Sequence, residues 1–281
     1  NNFILVDPIN YKSITSYFSL YLFNKNNKQY LTIHFNQFLY QYLNLIIDSI
    51  EIFFNKLSKS YNITTNQYTI QYNRNDRVIH LLSEIYYIVV VILYKMPFIM
   101  NNIKVLDDSP YTQMNYRFSI NEIKKIKKNC SYLNYENYII DIIVSSLSVF
   151  MNNYYVIIHS NNNLDLIPIY NGMTNRQINS LLTRSSKANL SKTFLLSYLF
   201  KLFNTVERNI EIPIIILNIG KMKSTKKIII DKIYGKNLTK NIPIFINVIY
   251  SDSTLVISIT YKDTYKQIKY IFNEIIDSII N

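Results

Sequence analysis

The sequence predicts an α/β fold, and three observations carry that expectation. Short β-branched and aromatic runs alternate along the chain with longer segments of helical periodicity, the pattern of layered strands and helices. The 281 residues are 49% hydrophobic, which supplies a sizeable core and excludes a disordered chain. No internal repeat breaks the alternation. With only three glycines (Gly172, Gly220 and Gly235), neither of the glycine-rich phosphate loops, GxGxxG or GxxxxGK[ST], can be written.

Residues 3–6 and 17–23 read as short strands, residues 24–28 as a polar turn, and residues 30–35 as a further strand. Between residues 42 and 57, Leu45, Ile46, Ile50, Phe53 and Leu57 recur at helical spacing, with Asp48 and Glu51 on the other face. Residues 60–76 are polar and read as a loop. The apolar stretch 78–100 is broken by Glu84, Lys95 and Pro97. Its uncharged run from 85 to 94 is too short for a span, which needs about 20 residues. A helix buried against the core, or lying at an interface, is expected there.

Residues 103–117 read as irregular, with a turn at Asp107–Pro110. Ser119, followed by Glu122, forms a capping box that starts a helix carrying Lys124, Lys125, Lys127 and Lys128 around Ile123 and Ile126. Those lysines read as a solvated face. Residues 135–151 form a second helix, apolar almost all round and therefore expected to be buried. Residues 154–159 and 164–170 are strands joined by an asparagine turn; residues 172–192 are polar and partly helical, and residues 193–206 form an apolar helix. A β-branched strand over 212–218 ends at Gly220. Two more strands, 244–250 and 255–261, are joined as a hairpin through Ser251–Thr254, and an amphipathic helix over 265–280 closes the chain.

Composition narrows the chemistry. Cys130 is the single cysteine, so an intrachain disulfide framework and a zinc ribbon are excluded, and Cys130 itself reads as an inert thiol. His34, His80 and His159 lie far apart and give no metal site, while His80 and His159 read as structural or exposed. The formal charge of +12 comes from 30 Lys and Arg against 18 Asp and Glu. It accompanies a bias toward Asn, Ile, Lys and Tyr of the kind an AT-rich genome produces, so it is discounted as a sign of nucleic-acid binding. No secretory signal stands at the start, and an intracellular location is expected. The chain begins Asn1-Asn2, which suggests a truncated or processed N-terminal part.

Four stretches, in order, resemble the wax ester synthase/diacylglycerol O-acyltransferase branch of the CoA-dependent acyltransferases, a superfamily that includes chloramphenicol acetyltransferase and the peptide-synthetase condensation domains. Residues 30–57 resemble the strand, active-site turn and helix around the family's HHxxxDG motif. The apolar stretch 78–100 follows, as in eukaryotic members. Residues 117–151 resemble its paired helices. Residues 214–263 resemble its C-terminal signature, Ser-Asn-Val-x-Gly-Pro at a strand end followed by a hairpin, which here reads Leu217-Asn218-Ile219-Gly220-Lys221.

The resemblance implies two chloramphenicol-acetyltransferase-like α/β subdomains with mixed sheets flanked by helices, residues 1–105 (partial) and 106–281, around a channel. It implies acyl-CoA as substrate, an alcohol as acceptor and no bound cofactor. It assigns His34 to the catalytic motif, and Phe35, Leu39, Asn218 and Gly220 to the substrate channel.

The chain also departs from the family's motif. One register puts His34 on the first histidine, Phe35 on the catalytic base, Leu39 on the aspartate and Tyr40 on the glycine. The other puts His34 on the base but Phe38 on the aspartate. Phe and Leu cannot accept a proton, and no carboxylate lies between His34 and Asp48. The expectation is an acyltransferase fold with weak or absent activity, kept for binding or assembly. The alternatives are an enzyme using His34 as a lone base, or a basic nucleic-acid- or ribosome-associated protein. Expected partners are acyl-CoA or lipid, a membrane surface contacted through residues 78–100, or another protein.

Overall fold

The computed structural model describes residues 3–4, 18–25, 28–35, 82, 85–86, 89–105, 109–129, 135–160, 164–169, 173–174, 176–178, 180, 210–221, 228–229 and 241–281. Its strands are β1 (Phe3–Ile4), β2 (Phe18–Lys25), β3 (Lys28–Phe35), β4 (Lys104–Val105), β5 (Tyr111–Arg117), β6 (Tyr154–Ser160), β7 (Leu164–Ile169), β8 (Ile210–Glu211), β9 (Ile214–Lys221), β10 (Ile228–Ile229), β11 (Ile244–Tyr250) and β12 (Leu255–Lys262). The helices with described bounds are α1 (Met96–Asn101), α2 (Ile120–Asn129), α3 (Tyr135–Phe150) and α4 (Ile268–Ile280). The expected helices at 42–57 and 193–206, the loop at 60–76 and the turn at 161–163 lie outside the described residues.

Two sheets organise these strands. At the front, β2 and β3 pair antiparallel from Phe18 opposite Phe35 to Lys25 opposite Lys28, so both strands run longer than the sequence pattern indicated. β1 joins β3 in parallel, and β10, far along the chain, pairs in parallel with β1. The second sheet has the order β5-β12-β11-β9-β6-β7. Its centre is three parallel strands, β6, β9 and β11, with β7, β12 and β5 added antiparallel. β4 and β8 form a separate two-stranded pair. Parallel central strands covered on both faces read in sequence as near-continuous apolar runs, and β9 and β11 are such runs apart from Asn218, Gly220 and Asn247.

One face of the six-stranded sheet carries the main core. Val156, Ile158, Ile215, Leu217, Ile246, Val248, Ile257 and Ile259 pack in one cluster with Ile139, Ile143 and Leu147 of α3 and Ile271, Phe272 and Ile275 of α4. Ile123 and Ile126 of α2 join them, leaving the four lysines of that helix exposed, as expected. The capping box forms: the Ser119 N–H donates to Glu122 Oε2 at 2.5 Å and the Glu122 N–H to Ser119 Oγ at 3.3 Å.

One expectation is corrected and another is narrowed. Residues 111–117, read as irregular, are strand β5, in full register with β12. Met114 and Tyr116 pack on the main core while Gln113 and Asn115 look the other way, a half-polar edge strand without the apolar run that marks the central ones. The stretch 78–100 is helical where described, with a π-helical turn at Val91–Lys95. Burial against the core holds for Ile99, but Leu82, Ile85, Tyr86, Val89, Leu93 and Tyr94 are exposed. No helix among the described residues is long and apolar enough to cross a membrane.

Candidate functional site

Strands that are apolar on one face can still carry polar side chains on the other, because successive residues alternate. β9, β11 and β12 each contain such a residue near their centre: Asn218, Asn247 and Ser258. The register sets these three opposite one another and extends the row to Asn115 on β5 and His159 on β6. Five polar side chains therefore cross the sheet in one line, on the face opposite α2, α3 and α4. His159, Asn218, Asn247 and Ser258 are buried, and the row opens to solvent at Asn115 on the edge.

Hydrogen bonds tie the row together in pairs. Asn218 Nδ2 donates to Asn247 Oδ1 at 2.8 Å. Gln113 Nε2 donates to Ser258 Oγ at 2.8 Å and to Asn115 Oδ1 at 3.1 Å. Asn218 Oδ1, Asn247 Nδ2 and the neighbouring Thr260 Oγ1 are buried without a hydrogen-bond partner. Toward the start of the parallel strands the same face turns apolar, with Tyr155, Ile157, Ile214, Ile216 and Phe245 packed with Ile99, Leu166, Ile212 and Ile242. A buried polar line bordering an apolar floor can orient a polar group on an otherwise greasy ligand.

A second polar cluster lies where β8 meets the end of β12. Lys262, 1% exposed, faces Glu211, 4% exposed, with Nζ 3.7 Å from Oε2. The Tyr265 hydroxyl donates to Glu211 Oε1 and shares a 2.8 Å hydrogen bond with the Tyr154 hydroxyl. Lys104 Nζ in turn donates to the Tyr154 oxygen at 3.1 Å. Burial, helped by the Glu211 carboxylate, pushes the Tyr265 phenol well above its usual range, so it stays protonated as a donor.

The structure places the candidates from the sequence as follows. Asn218 and Gly220 stand two residues apart on β9, on the same face, with Gly220 opposite Ile249 of β11. His34 and Phe35 end β3, opposite Ser19 and Phe18 of β2. Leu39 lies outside the described residues. His159, taken from sequence as structural or exposed, is buried and belongs to the polar row. Asn247, Ser258 and Asn115 were not singled out. The signal was present, a lone Asn or Ser at the centre of each β-branched strand, but only the register makes a line of them. Among the described residues no group of three or more His, Cys, Asp or Glu is placed to hold a metal ion.

Together these features define a mixed α/β protein whose fold is that of peptide-synthetase epimerization and cyclization domains. The chain superposes on the epimerization domain from the third module of tyrocidine synthetase B with TM-score 0.55 and 8% identity, covering 94% of this chain and 71% of that one. It superposes on the EpoB cyclization-docking bidomain from Sorangium cellulosum with TM-score 0.56 and 9% identity, covering 95% of this chain and 62% of that one. The wax ester synthase/diacylglycerol acyltransferase from Marinobacter aquaeolei VT8 also matches, at TM-score 0.42 and 7% identity over 77% of this chain and 58% of that one, too distant a superposition to build on. The chain thus spans less than two thirds of the EpoB bidomain. No family model and no curated protein matches the sequence. At these identities the likeness defines the fold alone.

Proposed function

We propose that the protein binds an acyl thioester such as acyl-CoA in a channel between its two α/β parts, divided near residue 105, and that acyl transfer is weak or absent. One observation carries the reading: on a condensation-type fold, the sequence that follows β3 has no residue pair able to act as base and structural carboxylate. His34 is followed by Phe35, and no Asp or Glu occurs before Asp48. General-base assistance contributes about 10²- to 10⁴-fold in rate, so its loss cripples transfer while leaving the binding surfaces intact. Asn218 and Gly220, on one buried face of β9, support a polar lining for the channel.

The test combines acyl-CoA with a long-chain alcohol, using the wild-type chain and His34→Ala. Measurable acyl-CoA binding with little or no turnover is the expected result. Robust turnover lost in His34→Ala would replace this reading with that of an enzyme using His34 as lone base. Failure to bind acyl-CoA at all would overturn it.

A further inference from the structure

We propose that Asn218 and Asn247 together recognise amide groups of the bound ligand, an inference that rests on the channel reading above and deepens it by naming the chemistry the channel selects. The two side chains sit in register on adjacent parallel strands and are 5% and 4% exposed. Each amide can form four hydrogen bonds. One bond, 2.8 Å from Asn218 Nδ2 to Asn247 Oδ1, joins them, and Asn218 Oδ1 and Asn247 Nδ2 are left buried with no partner. Buried polar atoms in folded proteins are rarely left so, and the exceptions call for an occupant.

The two atoms left with no partner at all are one acceptor and one donor. This holds however the side-chain amides are oriented: if both are turned over, the shared bond reverses and again one oxygen and one nitrogen are free. A ligand amide offers the complement, an N–H for the Asn218 oxygen and a C=O for the Asn247 nitrogen. An ester offers only acceptors and would set an oxygen lone pair against the Asn218 oxygen. Thr260 Oγ1, also buried and unpartnered, lies on the same face two residues beyond Ser258 and adds a hydroxyl able to donate or accept. A site built to meet a hydrogen-bonding group rejects the analogue that lacks it.

The experiment displaces a fluorescent acyl-CoA from the full chain with two probes of equal length, N-butylhexanamide and butyl hexanoate. The amide is expected to displace at a concentration about 10-fold or more below the ester, the scale of one buried hydrogen bond lost. In the double variant Asn218→Leu/Asn247→Leu the two probes should become equal. Removing both amides strands neither, so that variant is expected to fold, and its unfolding transition checks this. If acyl-CoA binds but amide and ester are equal on the wild-type chain, the inference falls alone, and a buried water is the occupant of the asparagine pair. If acyl-CoA does not bind, the channel reading falls and takes the inference with it.

Discussion

Asp141 sits within the apolar helix α3, buried with its Oδ1 lacking a hydrogen-bond partner, and burial pushes its carboxyl up to about 6. In the unfolded chain the same group titrates at about 3.9. Between those values the native state holds the proton more tightly, so stability falls as pH rises through this window and levels off above about 6. Asp141→Asn imitates the protonated form. It is expected to leave stability near pH 4 little changed and to raise it by up to about 3 kcal/mol at pH 7.5, given roughly 1.4 kcal/mol per pKa unit. Urea unfolding of both chains at the two pH values measures this, and an equal change at both would disprove it. The residue was visible in the sequence as a lone carboxylate among isoleucines. Its burial was implied by the all-round apolar helix, but the missing partner follows only from how neighbouring elements cover it.

At the scale of elements, the start of α2 is the most local device in the fold. Ser119 and Glu122 exchange hydrogen bonds, and the Tyr116 hydroxyl donates to Glu122 Oε1 at 2.8 Å. These bonds hold the Glu122 carboxyl below its usual range, the Ser119 bonds contributing most. A depressed carboxylate contributes stability above its unfolded pKa and loses it as pH falls through the folded one. Ser119→Ala is expected to cost about 1 kcal/mol at neutral pH, in the range of an N-cap loss, and less in acid. Denaturation midpoints at pH 7 and pH 3 test both the size and the trend. This cap was readable because everything it needs lies within four residues. β5 was not, because Tyr111–Arg117 has the polar alternation of an edge and becomes a strand only through its pairing with β12. The segment 78–100 was only partly legible for a related reason: apolar periodicity announces a helix but does not say whether a layer lies against it.

At the scale of the whole molecule, the Lys262–Glu211 pair ties β8 to the end of β12, and through Tyr265 and Tyr154 to the start of β6. Breaking a buried ion pair from one side strands a charge. Lys262→Met alone is therefore expected to cost about 3–5 kcal/mol, and Lys262→Met/Glu211→Leu to recover most of that loss. Guanidinium unfolding of the two variants decides it; a double variant as unstable as the single would mean that the cost is not a stranded charge. The same long-range logic governs the candidate site. Asn218 is picked out by its resemblance to a family signature, whereas nothing in the sequence marks Asn247, 29 residues away, as its neighbour. Ser258 is hidden in the same way.

By itself the sequence determined the α/β class, the capped and buried helices, the β-branched strands, and the absence of any carboxylate between His34 and Asp48. All of these are properties of neighbours in the chain, where periodicity, capping chemistry and residue identity act over a few positions. The tertiary structure alone decided the strand order β5-β12-β11-β9-β6-β7, the pairing of β10 with the front sheet, and the polar line from Asn115 to His159. Register is the physical reason. It is set by packing between segments far apart in sequence, and a slip of one residue would turn every one of those side chains to the opposite face.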